Sequence, residues 1–363
     1  MVTPRPVVKF NGMIILYTSG EDQKREPAEV GLPMKFIWNE GISDPRLNLA
    51  LEEYALRAFR EDETYVLFYV NDPAIIIGRN QHTIGEIDLG VVSRRGIRLV
   101  RRVSGGGAVY HDAGNLNFSV ITRYDPEHFN QYERFTQPIV TALNQLGIPA
   151  ELSGRNDLQV EGRKVSGNAQ FSTGGRMLSH GTLLVASDLG VLGSALRPKP
   201  GKVESKGARS VRARVANISD FLPESLRVDD VRRLVLAEMF RDSLPGSTRR
   251  LDAREWREVR ELAERKYGSW EWTYGESPPC NLTRAHRYPS GEVEARMQLE
   301  GGRIGEVRIS GDFFGRMPVR ELELRLAGTR YDRNAILDAL AEFPVSAAIE
   351  GLDTEEFADL IAG

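Results

Sequence analysis

Cysteine is almost missing from this chain of 363 residues, in which Cys280 stands alone. One cysteine cannot close an intramolecular disulfide or build a cysteine-rich metal site, and the default expectation is a reducing, cytoplasmic setting. Long apolar runs are missing too. Nothing approaches the roughly 18 residues that a membrane helix needs, and the patch from Met13 to Tyr17 is too short for a signal h-region and lacks a cleavage pattern. Neither charge sign dominates: 48 Lys and Arg face 51 Asp and Glu, a net charge of −3. That balance argues against a dedicated nucleic-acid binder, which is usually basic overall. Only five histidines exist, at positions 82, 111, 128, 180 and 286. None forms H-E-x-x-H or a tight pair, which argues against a zinc site. The P-loop run G-x-x-x-x-G-K-[ST] does not occur. The dinucleotide pattern G-x-G-x-x-G fails as well, because from Gly105 its last place falls on Tyr110.

What is present is a globular composition, with 41% apolar and 27% charged residues. The length allows two domains. Residues 1–33 read as a flexible extension, polar from Gly20 to Pro33. Asp44 and Pro45 are cap and first-turn residues for a helix whose Leu47, Ala50, Leu51, Tyr54, Ala55 and Ala58 recur at helical spacing. Strand-like runs follow at Tyr65 to Val70, Ala74 to Ile77, Asn115 to Thr122 and Met177 to Ser187. A second amphipathic helix spans Phe129 to Leu146, stopped by Gly147. Glu161-Gly162 is a hairpin turn between Leu158-Gln159-Val160 and Lys164-Val165. The order of elements is not a regular βαβ alternation, so a mostly antiparallel or mixed sheet is expected. A boundary falls near residues 243–250. Beyond it, a helix at Ala253 to Lys266, strands at Val293 to Leu299 and Arg303 to Ile309, and helices at Val319 to Leu326 and Tyr331 to Phe343 form a small α+β unit. The domains are therefore 1–33, 34–246 and 247–363.

The densest chemical signal is Arg101-Arg102-Val103-Ser104-Gly105-Gly106-Gly107-Ala108-Val109-Tyr110-His111-Asp112. Three consecutive glycines lose entropy and packing in a strand. They suit a place where backbone approaches a neighbour closely, either an anionic ligand or simply a bend at a sheet edge. Lys164, flanked by Gly162 and Gly167, is either a point charge for a bound anion or a solvated edge lysine. Asn156-Asp157 is either a magnesium or ribose ligand or a turn. His180 is either a pocket wall or a structural histidine. The segment holding Arg197, Lys199, Lys202, Lys206, Arg209, Arg212 and Arg214 against Glu204 is either a basic surface loop or a lid over a polyanion.

Taken in series, these segments resemble the lipoate–protein ligase A family. The matching pieces are Asp44-Pro45 with Asn48-Leu49-Ala50-x-Glu52-Glu53, then Gly78-Arg79-Asn80-Gln81, then Arg101 to Asp112 with Gly114-Asn115-x-Asn117-Phe118. Asn156-Asp157, Gly162 to Gln170, His180-Gly181-Thr182-Leu183-Leu184, Glu204-Ser205-Lys206-Gly207 and Ser210 to Asn217 follow. The C-terminal segment, with Trp270-Glu271-Trp272, looks like the family's small accessory domain. The resemblance implies the class II synthetase-like α/β fold shared with biotin ligases. It implies a two-step reaction, in which lipoate and ATP give lipoyl-AMP and the lipoyl group passes to a lysine of an acceptor protein. It implies Lys164 as the catalytic cation. Arg102, Gly107, Ala108, Val109, Tyr110, Asn156, Asp157, Lys164 and Lys206 would hold ATP and the adenylate. Arg102, Ser104, Gly105, Gly106, His111, Lys164 and His180 would hold lipoate, and Asp157 would hold Mg2+. The implied partners are apo lipoyl domains of 2-oxoacid dehydrogenase E2 subunits and the glycine-cleavage H protein, with no nucleic acid and no membrane. Related lipoyl or octanoyl transferases work without ATP through a cysteine, and Cys280 lies away from every motif. That counts against the transferase alternative, and the presence of Lys164 counts against a non-catalytic lipoate- or adenylate-binding protein.

Overall fold

The computed structural model describes residues 7–10, 13–16, 33–81, 83, 87, 89–195, 214–223, 226–240, 247–273, 282–300, 303–331 and 333–362. Among the described residues, strands β1 (Val7–Phe10) and β2 (Met13–Leu16) pair only with each other. Next come β3 (Met34–Ile37), helix α1 (Pro45–Ala58), β4 (Thr64–Tyr69), β5 (Ala74–Ile77), β6 (Arg98–Arg101) and β7 (Val109–His111). Strand β8 (Asn115–Arg123), helix α2 (Tyr132–Gln145), β9 (Ala150–Ser153), β10 (Asp157–Val160), β11 (Arg163–Thr173) and β12 (Arg176–Leu184) follow. Helix α3 (Val228–Phe240), β13 (Thr248–Arg249) and helix α4 (Ala253–Leu262) lead to β14 (Leu282–Tyr288), β15 (Gly291–Glu300) and β16 (Arg303–Gly311). Helices α5 (Val319–Leu326), α6 (Arg333–Leu340) and α7 (Thr354–Ala362) close the chain. No helix among the described residues is long and apolar enough to cross a membrane.

The described residues divide between two units. The first takes those within 1–73, 111–193 and 205–263; the second takes those within 74–110, 194–204 and 264–363.

The first unit is built on a sheet of order β13-β3-β4-β8-β12-β11-β10-β9. Strands β13, β3 and β4 run parallel, and the other pairings are antiparallel. This is the mixed sheet expected from the irregular order of elements. Alternate residues face opposite sides. Val66, Phe68, Phe118, Val120 and Met177 enter the apolar core that helices α2 and α3 share, while α1 packs across β4, β8 and β12.

Helix α1 begins as expected, with the Asp44 carboxylate accepting from the Arg46 N–H at 2.9 Å and Pro45 in the first turn. Its buried face, however, matches the apolar set read from the spacing only in part, at Ala50, Leu51 and Ala55. Ala58 is exposed and Leu47 and Tyr54 are half-buried, whereas Asn48, Glu52 and Glu53 are buried. Helix α2 starts at Tyr132 rather than Phe129, because Asn130 takes a left-handed φ of 68° and its N–H donates to the Gln170 side chain. It ends as Gly147 dictates. With φ at 78°, Gly147 donates to the Asn144 carbonyl and Ile148 donates to that of Leu143, the paired bonds of a Schellman cap. Glu161 and Gly162 both have positive φ, 50° and 74°, as a two-residue type I′ hairpin requires.

In the second unit, β14-β15-β16 is an antiparallel sheet whose core joins Val293, Met297, Val307 and Ile309 to Leu322, Ile336 and Phe357. A second sheet of order β6-β5-β7 contains the fully buried β5. Strand β14 has no counterpart in the sequence pattern. Its residues are mostly exposed, so it carries no apolar alternation to read.

Candidate active site

Lys164 sits at an irregularity. Gln159 pairs with Lys164 but Leu158 pairs with Ser166, so Val165 is an extra residue in β11, a bulge. The bulge turns Lys164 to the face of Asp157, Gly167 and Ala169, which is also the face of His180 through the Ala169–His180 pair. Val165, by contrast, is buried in the core on the other side. The Lys164 ammonium lies 2.8 Å from Asp157 Oδ1, with side-chain exposures of 37% and 30%. A Cβ at Gly167 would lie 2.8 Å from that ammonium, so glycine leaves room for it. The Lys164 carbonyl accepts from Ala216 N–H, which ties the strand to the segment entering at Val215. An ion pair this accessible contributes only about 0–1 kcal/mol. Lys164 can therefore exchange Asp157 for a bound anion at little cost.

The two histidines of interest connect to residues one turn apart on α1, His180 directly and His111 through Asn71. Glu52, 1% exposed, receives His180 Nδ1 at 3.0 Å on one carboxylate oxygen. Its other oxygen accepts from the Tyr69 hydroxyl at 2.9 Å and from the Ser119 hydroxyl. Four residues earlier, Asn48 is wholly buried and contacts Asn71 Oδ1 at 2.9 Å. Asn71 Nδ2 in turn lies 3.0 Å from His111 Nδ1. In the sequence Asn48 and Glu52 stand out only as positions that match the family, and Asn71 does not stand out at all. Their signal was the polar residue type at a helical core position, which composition and apolar spacing discard.

The glycine loop lies in the second unit. Its three glycines differ in their surroundings. A Cβ at Gly105 would lie 2.6 Å from the Phe313 carbonyl oxygen. One at Gly106, where φ is 92°, would meet the Arg102 guanidinium at 2.9 Å and the Phe314 ring at 3.2 Å. Gly107 faces open space and is exposed, and Ala108, Val109 and Tyr110 are half-buried. Ser104 is buried. Arg102, 7% exposed, donates from Nε to Ser104 Oγ at 3.0 Å, and from its terminal nitrogens to the carbonyls of Ile76, Gly105 and Gly107 at 3.1, 2.6 and 2.9 Å. Its neighbour Arg101 gathers the carbonyls of Gly78, Arg79, Gln81, Trp272 and Thr273. Both arginines thus shape the loop from within.

Asn156 is braced across the hairpin. Its side-chain N–H donates to the Asn168 carbonyl at 2.5 Å, and the Asn168 side chain returns a bond to the Asn156 carbonyl at 2.9 Å. Among the described residues there is no group of three or more His, Cys, Asp or Glu that could hold a metal. Asp157 alone suits a magnesium ion that arrives with phosphates and water as its other ligands, the usual arrangement for that ion. Lys206, most of the basic segment 197–214 and Cys280 lie outside the described residues.

The lipoyl protein ligase A/B catalytic domain matches residues 44–240, and the bacterial lipoate protein ligase C-terminus matches residues 277–361. The lipoate-protein ligase LplJ of Bacillus subtilis (strain 168) is 46% identical over 330 residues, covering 90% of this chain and 100% of that protein. The bi-partite lipoate protein ligase of Thermoplasma acidophilum, described with its E2 lipoyl domain, is 31% identical with a TM-score of 0.61, covering 69% of this chain and 100% of that one. A crystal structure of lipoate-protein ligase A bound with ATP is 30% identical with a TM-score of 0.58, covering 67% and 99%.

Proposed function

The chain belongs to the lipoate–protein ligase family, and from that premise we propose how its residues activate lipoate with ATP and pass the lipoyl group to a protein lysine. In the first step a lipoate carboxylate oxygen attacks the α-phosphorus and the bond to pyrophosphate breaks. Two anions must meet, and Lys164 is the cation placed for them. Its accessible pair with Asp157 gives way to the carboxylate and the α-phosphate oxygens, and it stabilises the charge that builds between them. Magnesium, held by Asp157 together with the nucleotide's phosphates, would screen the leaving pyrophosphate. Gly107, Ala108, Val109 and Tyr110 line the nucleotide, with Asn156 and Lys206 as further contacts. His111 and His180 face the acyl group. Arg102, Ser104, Gly105 and Gly106 set the loop's shape at the lipoate end. In the second step the ε-nitrogen of an acceptor lysine attacks the acyl carbon and AMP leaves. Geometry and exclusion of water dominate there, since the anhydride already stores the driving force.

The acceptor is an apo lipoyl domain of an E2 subunit, with the glycine-cleavage H protein as a second acceptor. Residues 34–246 carry the chemistry, residues 247–363 are the accessory part, and residues 1–33 are an extension. The setting is the cytoplasm. The observation that carries this reading is the bulge that brings Lys164 to the face of His180. A cysteine-dependent transferase is disfavoured because the one cysteine falls at 280, outside the matched catalytic domain.

The test is to incubate the protein with apo lipoyl domain or apo H protein, lipoate, ATP and magnesium, and to weigh the acceptor by mass spectrometry. An ATP-dependent lipoyl adduct is expected. Transfer from octanoyl-carrier protein without ATP would overturn the ligase reading.

A further inference from the structure

Asn39, Asn48, Asn71 and His111 form a buried polar chain in which every direction of donation can be worked out. Asn39, at its start, is fixed at both ends. Its Oδ1 accepts from the Gly41 N–H at 3.3 Å, and its Nδ2 donates to the Ile42 carbonyl at 3.0 Å and to Asn48 Oδ1 at 3.2 Å. Asn48 Nδ2 also meets the Ile42 carbonyl, at 2.9 Å. A backbone carbonyl can only accept, so that nitrogen must be the amide NH2. Its remaining hydrogen points to Asn71 Oδ1 at 2.9 Å. Asn71 therefore turns its NH2 towards His111, 3.0 Å from Nδ1. A donor facing Nδ1 requires a lone pair there.

We infer that Asn71, with Asn48 behind it, is a positioning residue that locks His111 in the tautomer with its proton on Nε2, so that the ring offers the acyl substrate an N–H rather than a lone pair. The inference rests on the ligase reading for its substrate and on the hydrogen-bond chain for its polarity. All four residues are buried, His111 at 4% exposure. Reversing the ring would face the Asn71 NH2 with a ring carbon, and a proton on Nδ1 would set two donors face to face, each at the cost that goes with an unmade buried bond. His180 provides the contrast. Its Nδ1 faces the Glu52 carboxyl, so a proton sits on that nitrogen. The two rings thus present opposite polarity at Nδ1. A lipoate carboxyl or acyl-adenylate oxygen needs donors, and a His111 ring protonated on Nε2 can supply one.

The experiment is 15N NMR of the histidine ring nitrogens in the intact protein at about pH 8, above the ordinary histidine pKa of roughly 6.5, beside steady-state lipoylation kinetics. The expected wild-type pattern is protonated Nε2 with bare Nδ1 at His111, and protonated Nδ1 at His180. In Asn71→Asp, the new carboxylate accepts from Asn48 and from His111 Nδ1. The His111 pattern should reverse while that of His180 stays. The KM for lipoate should rise about ten- to hundredfold, on the scale of one misdirected buried hydrogen bond, with the KM for ATP unchanged. A wild-type His111 protonated on Nδ1 overturns the inference without any variant. So does an Asn71→Asp enzyme whose tautomer reverses with no change in the KM for lipoate. Wild-type protein that lipoylates no acceptor overturns the ligase reading and the acyl role together, and the nitrogen spectrum still decides the tautomer.

Discussion

Two cations of the opening motifs live in opposite environments. Arg102 is buried and its guanidinium holds the loop's carbonyls, whereas Lys164 is a third exposed and held by one carboxylate. Burial with several bonds makes a residue structural; an accessible, lightly held charge can be redirected to a ligand. Lys164→Ala should therefore leave stability within about 0.5 kcal/mol while slowing adenylate formation by about 10²- to 10³-fold. Chemical denaturation and ATP–pyrophosphate exchange measure the two effects, and a parallel loss of both would contradict the assignment. Tyr65 offers a second test at this scale. Burial first, and then the Glu63 carboxylate that its hydroxyl meets at 2.5 Å, push its pKa from the ordinary 10 up to about 12. Between those values the folded chain keeps a proton that the unfolded chain has lost. Its contribution is full below pH 10 and fades as pH rises towards about 12. In Tyr65→Phe, the stability measured by urea unfolding should fall less steeply across that window than in the parent.

At the scale of elements, the hairpin turn, the caps of α1 and α2 and the mixed sheet were legible because each depends on neighbours in sequence. Asp44 caps α1 through a residue two places away. The polar ridge of α1 was not legible. Asn48 and Glu52 look like surface residues until β4, β8 and β12 bring Asn71, Ser119 and His180 against them. The bulge at Val165 was hidden for the same reason, since a register slip exists only between two strands. The glycines divide in a way that spacing could not show. A Cβ at Gly78 would fall 1.8 Å from the Gly106 carbonyl oxygen, whereas Gly107 meets nothing within 4 Å. Gly78→Ala should displace the loop, lower the melting temperature and abolish adenylate formation. Gly107→Ala should melt with the parent. Differential scanning calorimetry on the pair checks this, and equal melting of both variants would refute it.

For the whole molecule, each unit has its own apolar core, one around the eight-stranded sheet and one around β14-β15-β16. The glycine loop, at 105–107, shares the second unit with the C-terminal hundred residues, while Lys164, His111 and His180 belong to the first. Substrates that bind only the folded chain stabilise it by mass action. ATP and lipoate at a hundred times their dissociation constants should each add about 2.7 kcal/mol, seen as a melting shift of several degrees. The ATP shift should shrink in Lys164→Ala.

The sequence by itself determined the family and the reaction class, and it singled out Lys164 as the charged residue to test. Those rest on residue types in a fixed order, which survive without coordinates. Only the tertiary structure decided why the motif glycines are glycines and what holds the histidines. Gly105 is small because of Phe313, more than two hundred positions away, and the proton on His111 is placed by a buried chain that begins at Asn39. Close packing and buried hydrogen bonds are properties of contacts between distant segments, and no local pattern records them. The loop from Arg101 to Asp112 carries the densest chemical signal in the sequence, but its first two glycines answer to the protein's own packing and only Gly107 among the three stands open.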